Sequence, residues 1–387
     1  MKVAGVALIV LSAVNAMGAA GSCPRPVQPG DPLPNLTAEE RDRFEKGREV
    51  FARTFVPETG LGPLFNADAC GECHEQPSVG GSGDEVELHV AAVRPDGFCD
   101  PLADQGGFVI QQHVTPALKA ALGIDSEPVP AEATARASRT TPDLFGLGLL
   151  DAVPDSAILA LADPEDRNHD GISGRPNHFV DGRIGRFGRK AFVPTLPEFN
   201  HGAFVIEIGI TNPAQPSEES IGGKPIPSGV DPVPEPELDE RDLELADDFV
   251  RLLAPPAPLP LDTEGERGRL VFATIGCASC HAPTLKTGAS PVRALSYKTV
   301  HAYTDLLLHD MGPDRADICL GDASPSEFRT EPLMGLRFMK AFLHDGKAAS
   351  PEEAIRLHGG EAAASRRQFE KLSDVRREAL LRFLKSL

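Results

Sequence analysis

Cys70-Gly-Glu-Cys73-His74 recurs further along the chain as Cys277-Ala-Ser-Cys280-His281. Cys-x-x-Cys-His is the attachment signature of a c-type haem. The two thiols add to the haem vinyl groups as thioethers, and the adjoining histidine supplies the proximal nitrogen to iron. Other chemistries for such a pair are a thioredoxin-like dithiol and a structural zinc site. A zinc site would have to join two cysteine pairs far apart in sequence, which zinc ribbons do not do. The repeat therefore predicts two covalently bound haem c groups, one on Cys70 and Cys73 and one on Cys277 and Cys280. His74 and His281 are the expected proximal ligands.

The repeat extends beyond the cysteines. Glu45-Lys-Gly-Arg-Glu-Val-Phe-Ala52 and Glu266-Arg-Gly-Arg-Leu-Val-Phe-Ala273 precede the two motifs, each behind a capping box, Thr37-Ala-Glu-Glu40 and Thr263-Glu-Gly-Glu266. In each copy this reads as the first helix of a cytochrome c fold, with Phe51 or Phe272 turned toward the haem. A repeated helix-plus-haem unit means two cytochrome c-like haem domains. The expected fold class is mainly α with long irregular insertions, divided as an N-terminal domain over 35–254, with an insertion, and a C-terminal domain over 262–387. Leu238 to Ala254, stopped by Pro255 and Pro256, closes the first domain as a helix. Ser373 to Leu387 forms the last helix, lying across the second core. Between them, Val86 to Val93 alternates as a strand, Pro116–Leu122 and Pro154–Leu161 read as short helices, and the prolines from 213 to 236 mark an extended surface segment.

Residues 1–22 read as a secretion signal: Lys2, an apolar run from Val3 to Val14 too short to span a bilayer, then small residues. This places the protein in the periplasm, where c-type haem is attached. Cys23 follows Ala-Gly-Ser, a weak lipobox, which makes a lipid anchor at Cys23 an alternative to a freely secreted chain. Of the seven cysteines, four serve haem. If Cys23 carries lipid, Cys99 and Cys319 remain as a disulfide pair in an oxidising compartment; if it does not, one thiol is left over. The net charge of −19 excludes nucleic acid as a partner and favours docking of a basic redox protein.

Asp166-x-Asn168-x-Asp170-Gly171 places oxygen ligands at alternating positions before a tight turn, the first half of a calcium loop. The acidic residue expected at position twelve is replaced by Asn177, so a side-chain-capped turn competes with calcium. Haem chemistry depends on the sixth ligand: a filled position transfers electrons, and an open one admits peroxide. Spacing alone does not choose among the remaining histidines and methionines.

The C-terminal region supplies the choice. Phe328-Arg-Thr-Glu-Pro-Leu-Met-Gly-Leu336, Ala341-Phe-Leu-His-Asp-Gly346, Pro351-Glu-Glu-Ala-Ile355 and His358-Gly-Gly-Glu361 together resemble the di-haem cytochrome c peroxidase superfamily. The di-haem oxidoreductase branch, also described as thiol oxidoreductases, is the more similar. It shares Phe65-Asn-Ala-Asp-Ala-Cys70, Thr141-Pro-Asp-Leu-Phe-Gly-Leu-Gly-Leu-Leu150, Asp170-Gly-Ile-Ser-Gly-Arg175, Gly185-Arg-Phe-Gly-Arg-Lys-Ala191 and Asp305-Leu-Leu-Leu-His-Asp-Met-Gly-Pro313.

This resemblance implies that His358 is the distal ligand of the second haem, with Met311 ranked second and His344 a structural or propionate contact. It also implies that the first haem is the reactive one, assisted by an acid/base carboxylate and a tryptophan relay. The chain departs from that pattern twice. It has no tryptophan, and Arg189 stands where the branch has one. Gln215 occupies the acid/base position after Asn212-Pro and cannot shuttle a proton; Glu207 is the expected substitute.

The reading is a periplasmic di-haem oxidoreductase of the cytochrome c peroxidase type. Hydrogen peroxide or another small oxidant would be reduced at the first haem, with electrons from a small cytochrome c or cupredoxin entering through the second. The alternatives are oxidation of a partner protein or thiol, a non-catalytic di-haem electron carrier, and a surface redox sensor anchored at Cys23. Covalent attachment makes the first expected outcome simple. On a denaturing gel the matured protein retains haem staining; Cys70→Ser with Cys73→Ser, or Cys277→Ser with Cys280→Ser, each removes half of it.

Overall fold

The computed structural model describes residues 25–387. The expected signal segment 1–22 and the anchor position Cys23 lie outside the described residues. Helix outweighs strand, 32% against 13%, so the mainly α expectation holds for the helical frame, while much of the chain between is irregular.

Two helix pairs make that frame. The Ala38–Phe51 helix opens on a capping box in which Thr37 and Glu40 exchange side-chain and backbone hydrogen bonds. It buries Phe44, Gly47, Val50 and Phe51, one stripe at helical spacing. Its partner is Glu240–Leu252, capped by Asp239 and ended where Leu253 turns extended ahead of Pro255. The second pair is Thr263–Thr274 with Asp374–Leu384. In this second pair Asp262, not the expected Thr263, is the N-cap, its carboxylate accepting from the Gly265 N–H at 2.9 Å. A carboxylate at that position satisfies a free N–H and also meets the positive end of the helix dipole.

Both pairs cross at a glycine. A Cβ on Gly47 would stand 2.0 Å from the Leu245 carbonyl oxygen and 2.9 Å from Phe249 Cβ. A Cβ on Gly268 would stand 1.9 Å from the Ala379 carbonyl oxygen and 2.8 Å from Phe383 Cβ. The same two contacts, one turn apart on the partner helix, recur in both pairs. The backbones therefore touch, and the phenylalanine one turn further on each first helix packs against its partner's: Phe51 tilted against Phe249 at 5.0 Å and Phe272 edge-on to Phe383 at 5.4 Å.

Beside this frame lies an antiparallel sheet centred on Val86–Val93, which pairs with Ala135–Thr140, Val109–Ile110 and Cys99–Asp100. Ala135–Thr140 is polar, Ala-Arg-Ala-Ser-Arg-Thr, and carries no strand signature of its own. It is held because Arg139 is buried in a two-point ion pair with Asp317, at 2.7 and 3.0 Å. Cys99 is disulfide-bonded to Cys319, so the sheet is joined to the C-terminal part of the chain twice, within a few residues. The largest buried cluster is likewise shared. It takes Phe44, Phe145 and Phe249 from the first two thirds of the chain and Leu285, Leu306 and Met334 from the last third. Among the described residues, no helix is long and apolar enough to cross a membrane.

In an exposed helix, Gly→Ala would stabilise by roughly 0.5–1 kcal/mol. At these crossings the sign reverses: Gly47→Ala and Gly268→Ala each destabilise by about 1–3 kcal/mol, because the added methyl separates two packed backbones. Urea unfolding of the two variants measures it.

Candidate functional site

Each helix pair presents a phenylalanine to a Cys-x-x-Cys-His histidine. Phe51 lies 5.9 Å from His74, and Phe272 lies 6.3 Å from His281, ring centre to ring centre. The motifs themselves are single helical turns, closed by hydrogen bonds from the His74 N–H to Cys70 O and from the His281 N–H to Cys277 O, both 3.0 Å. The ring nitrogens are oriented alike. His74 Nδ1 faces the Gly81 carbonyl at 3.1 Å, His281 Nδ1 faces the Tyr303 carbonyl at 2.9 Å, and His358 Nδ1 faces the Ala354 carbonyl at 2.7 Å. A carbonyl can only accept, so in the neutral rings of His281 and His358 Nδ1 carries the proton and Nε2 keeps a lone pair, the arrangement that prepares a histidine for a metal. His74 is hydrogen-bonded to the Pro142 carbonyl as well.

His281 and His358 share a cavity of about 240 Å³, lined also by Cys277, Cys280, Phe272 and Met334. Burial, reinforced by the neighbouring His358, pushes His281 down to about 4, so the ring is neutral at physiological pH. The donor set fits a haem: two thiols on one wall, two neutral imidazoles, and an apolar interior. Met311 and His344 reach the same cavity, but His344 is stacked on Phe328 at 4.2 Å, and only His358 among the three makes the ring-to-carbonyl bond seen at the proximal histidines.

One end of this cavity is charged. Arg189 and Arg329 converge on Glu331 at 3.1 and 2.8 Å. Burial would raise the Glu331 carboxyl, but the two guanidiniums outweigh it and bring it to about 2. Asp143, beside them, is raised to about 7 by burial and then by Glu331. Arg189 thus belongs to an ion-pair cluster in the second cavity; the resemblance had marked it only as a missing tryptophan. Asp143 and Glu331 were not singled out from the sequence, because nothing in their spacing predicts that they meet.

His309 is buried behind Cys280, between Asp305 (2.8 Å) and Glu361 (2.7 Å) and 3.5 Å from the Cys280 sulfur. Burial alone would lower this imidazole. The hydrogen bonds with Asp305, Cys280 and Glu361 prevail and push it up to about 12. Glu361 also accepts from the Ser173 N–H and hydroxyl. This ties the Asp166–Ser173 loop to the second site. In that loop Asp166 Oδ1 accepts from the Asp170 and Gly171 N–H groups, and Asn168 Oδ1 from the Asp170 N–H. These oxygens accept from the turn's own backbone N–H groups, as in a side-chain-capped turn. Elsewhere, the Glu218, Asp231, Glu235 and Glu237 carboxylates come together within 4.8 Å of one another.

The first site is acidic. Glu207, on the last turn of the Leu196–Ile208 helix, faces the Cys70 and Cys73 thiols, with Glu85 and Glu87 also toward Cys73. Burial, then Glu87, holds the Glu207 carboxyl well above its usual range, and its one side-chain donor is Asn66 Nδ2 at 2.9 Å. The same burial pushes the Cys70 and Cys277 thiols up to about 12. Gln215 lies in the tight Asn212–Gln215 turn.

Residues 129–387, more than half of the chain, match the family described as "Di-haem oxidoreductase, putative peroxidase". The protein belongs to that family of haem-containing oxidoreductases. No curated protein sequence matches. Among solved structures, similarity is found to hydrazine synthase of Kuenenia stuttgartiensis, at 13% identity over 98% of this chain and 99% of that one, TM-score 0.42. A MauG-like protein associated with microbial copper homeostasis matches at 14% identity over 95% of both chains, TM-score 0.41. The diheme peroxidase BthA from Burkholderia thailandensis matches at 16% identity over 89% of this chain and 86% of that one, TM-score 0.43.

The His309 ion cluster predicts a pH dependence. An unfolded histidine titrates near 6.5, whereas His309 stays charged to about 12. Its stabilisation is complete below pH 6.5 and declines as pH rises toward 12. His309→Gln is therefore less stable than the native protein in mildly acidic buffer, and the gap narrows in alkaline buffer. Urea unfolding across that range tests it.

Proposed function

We propose that the protein reduces hydrogen peroxide at a first haem held by Cys70, Cys73 and His74, with electrons arriving through a second haem held by Cys277, Cys280, His281 and His358. The two haems belong to cytochrome c-like domains, 35–254 and 262–387. The observation that carries the reading is the contrast between the sites. The second has two imidazoles that burial keeps toward the neutral form and an apolar interior, and the first has the buried Glu207 carboxyl, which burial pushes toward its protonated form. A haem held by His74 alone would supply iron able to react with peroxide, and one held by both His281 and His358 would supply iron for electron transfer.

The chain's own residues do the rest. The Gly81 carbonyl orients the His74 ring. Glu207, kept protonated by burial, gives its proton to the departing oxygen of peroxide and recovers it from solvent. Two electrons and two protons convert one peroxide to two waters. The donor is a small basic cytochrome c or cupredoxin in the periplasm, a location supported by the signal-like segment 1–22 and a docking supported by the net charge of −19.

A non-catalytic di-haem carrier is the second reading, favoured by the absence of tryptophan and by Gln215 at the usual acid/base position. Electron paramagnetic resonance of the matured, oxidised protein separates them. The peroxidase reading expects a high-spin ferric signal beside a low-spin bis-histidine one, before or after one-electron reduction. Two low-spin signals in both states leave peroxide without a site and establish the carrier. Glu207→Gln is expected to lower peroxide turnover by about 10²–10⁴ without changing the low-spin signal.

A further inference from the structure

A solvent port for the first site rests on the peroxidase reading: each turnover draws two protons into a buried site, so Glu207 must be reloaded from water. The fold brings solvent to within one side chain of it. The Asn66 and Ala67 N–H groups donate to the Glu207 carbonyl at 2.7 and 3.2 Å. Asn66 Nδ2 donates to the Glu207 carboxyl at 2.9 Å, and Asn66 Oδ1 accepts from the Gln112 N–H at 2.9 Å. Both ends of the amide are used, so Asn66 has one orientation. Glycines press its strand onto the end of the Glu207 helix. A Cβ on Gly62 would stand 2.0 Å from the Gly209 carbonyl oxygen, and one on Gly209 would stand 2.2 Å from that of Leu64.

The same asparagine lines a surface pocket of about 380 Å³, walled by Asp68, Glu72, His113, Lys119 and Asp125. His113 packs against Phe65 with their ring centres 5.5 Å apart, and Lys119 is paired with Asp125. A pocket with this lining holds water and admits small hydrophilic molecules.

We propose that this pocket is the solvent port of the first site, the entrance for protons and for a small polar oxidant such as hydrogen peroxide, with Asn66 the positioning residue that holds the Glu207 carboxyl at its inner end. The titratable groups facing Glu207 are Glu87, Glu219, Cys70 and Cys73, none of them cationic. The Asn66 amide is thus the neighbour that favours the ionised carboxylate, and it makes proton release possible. The port adds no electrons: both come from the donor protein, and both protons come from water.

The test uses infrared spectroscopy of the haem-loaded protein, following the C=O band of the protonated carboxyl that Glu207→Gln removes. His113→Trp and, separately, Lys119→Trp fill the pocket without touching Glu207. Either should slow hydrogen–deuterium exchange of the band by about tenfold at an unchanged titration midpoint. Asn66→Leu should raise the midpoint and lower peroxide turnover. Exchange as fast as wild type in both filled variants overturns the port, and an unmoved midpoint in Asn66→Leu overturns the positioning role. If exchange and midpoint respond while the wild type shows no peroxide turnover, the port stands and the peroxidase reading falls.

Discussion

Two backbones in contact at a glycine set the geometry of each candidate haem site. At Gly47 and again at Gly268 the helices approach until no side chain fits between them. Only at that separation does the phenylalanine four residues on reach both its partner helix and the histidine of the motif, as Phe51 does for His74 and Phe272 for His281. A larger residue at either glycine would shift the phenylalanine and, through it, the histidine. The motif turn therefore depends on a helix crossing formed with a segment more than a hundred residues away.

The two copies of this device are used differently, and the difference lies in what the intervening chain adds. Around His281 it adds His358, methionines and an arginine–carboxylate cluster at one end, leaving an apolar interior with neutral nitrogen donors. Around His74 it adds Glu85, Glu87 and Glu207. Burial raises the Glu85 and Glu207 carboxyls, whereas His89 holds Glu87 low, so the first site gathers carboxyls where the second gathers imidazoles. A duplicated frame thus supports unlike chemistry without any change in the frame.

Asp317 links these regions. It is buried with Arg139 from the sheet and Lys190 from the Gly185–Ala191 segment, and it lies 4.0 Å from His344 at the second cavity. Two cations against one carboxylate leave little freedom for the sheet to slide, and the Cys99–Cys319 bond two residues away removes more. Removing one partner of such a buried set leaves an uncompensated charge, which costs far more than an exposed pair would.

Local chemistry made part of this legible in advance. The capping box at Thr37, the prolines after Ala254, the alternation of Val86–Val93 and the two Cys-x-x-Cys-His motifs are all interactions between residues close in sequence, so a short stretch of chain contains both partners. The resemblance of the longer motifs, not spacing, marked Glu207 and His358 as candidates. What no spacing could show is which distant groups would meet: Gly47 against Leu245, Arg139 against Asp317, Asp143 and Arg189 at one end of a cavity, Asn66 between Glu207 and solvent. Those pairings fix burial, and burial fixes protonation. The chain alone therefore determined which thiols and imidazoles are available for haem, and the tertiary structure decided which cluster lies in an apolar cavity and which lies among carboxyls, because charge inside a protein is governed by neighbours that sequence does not order.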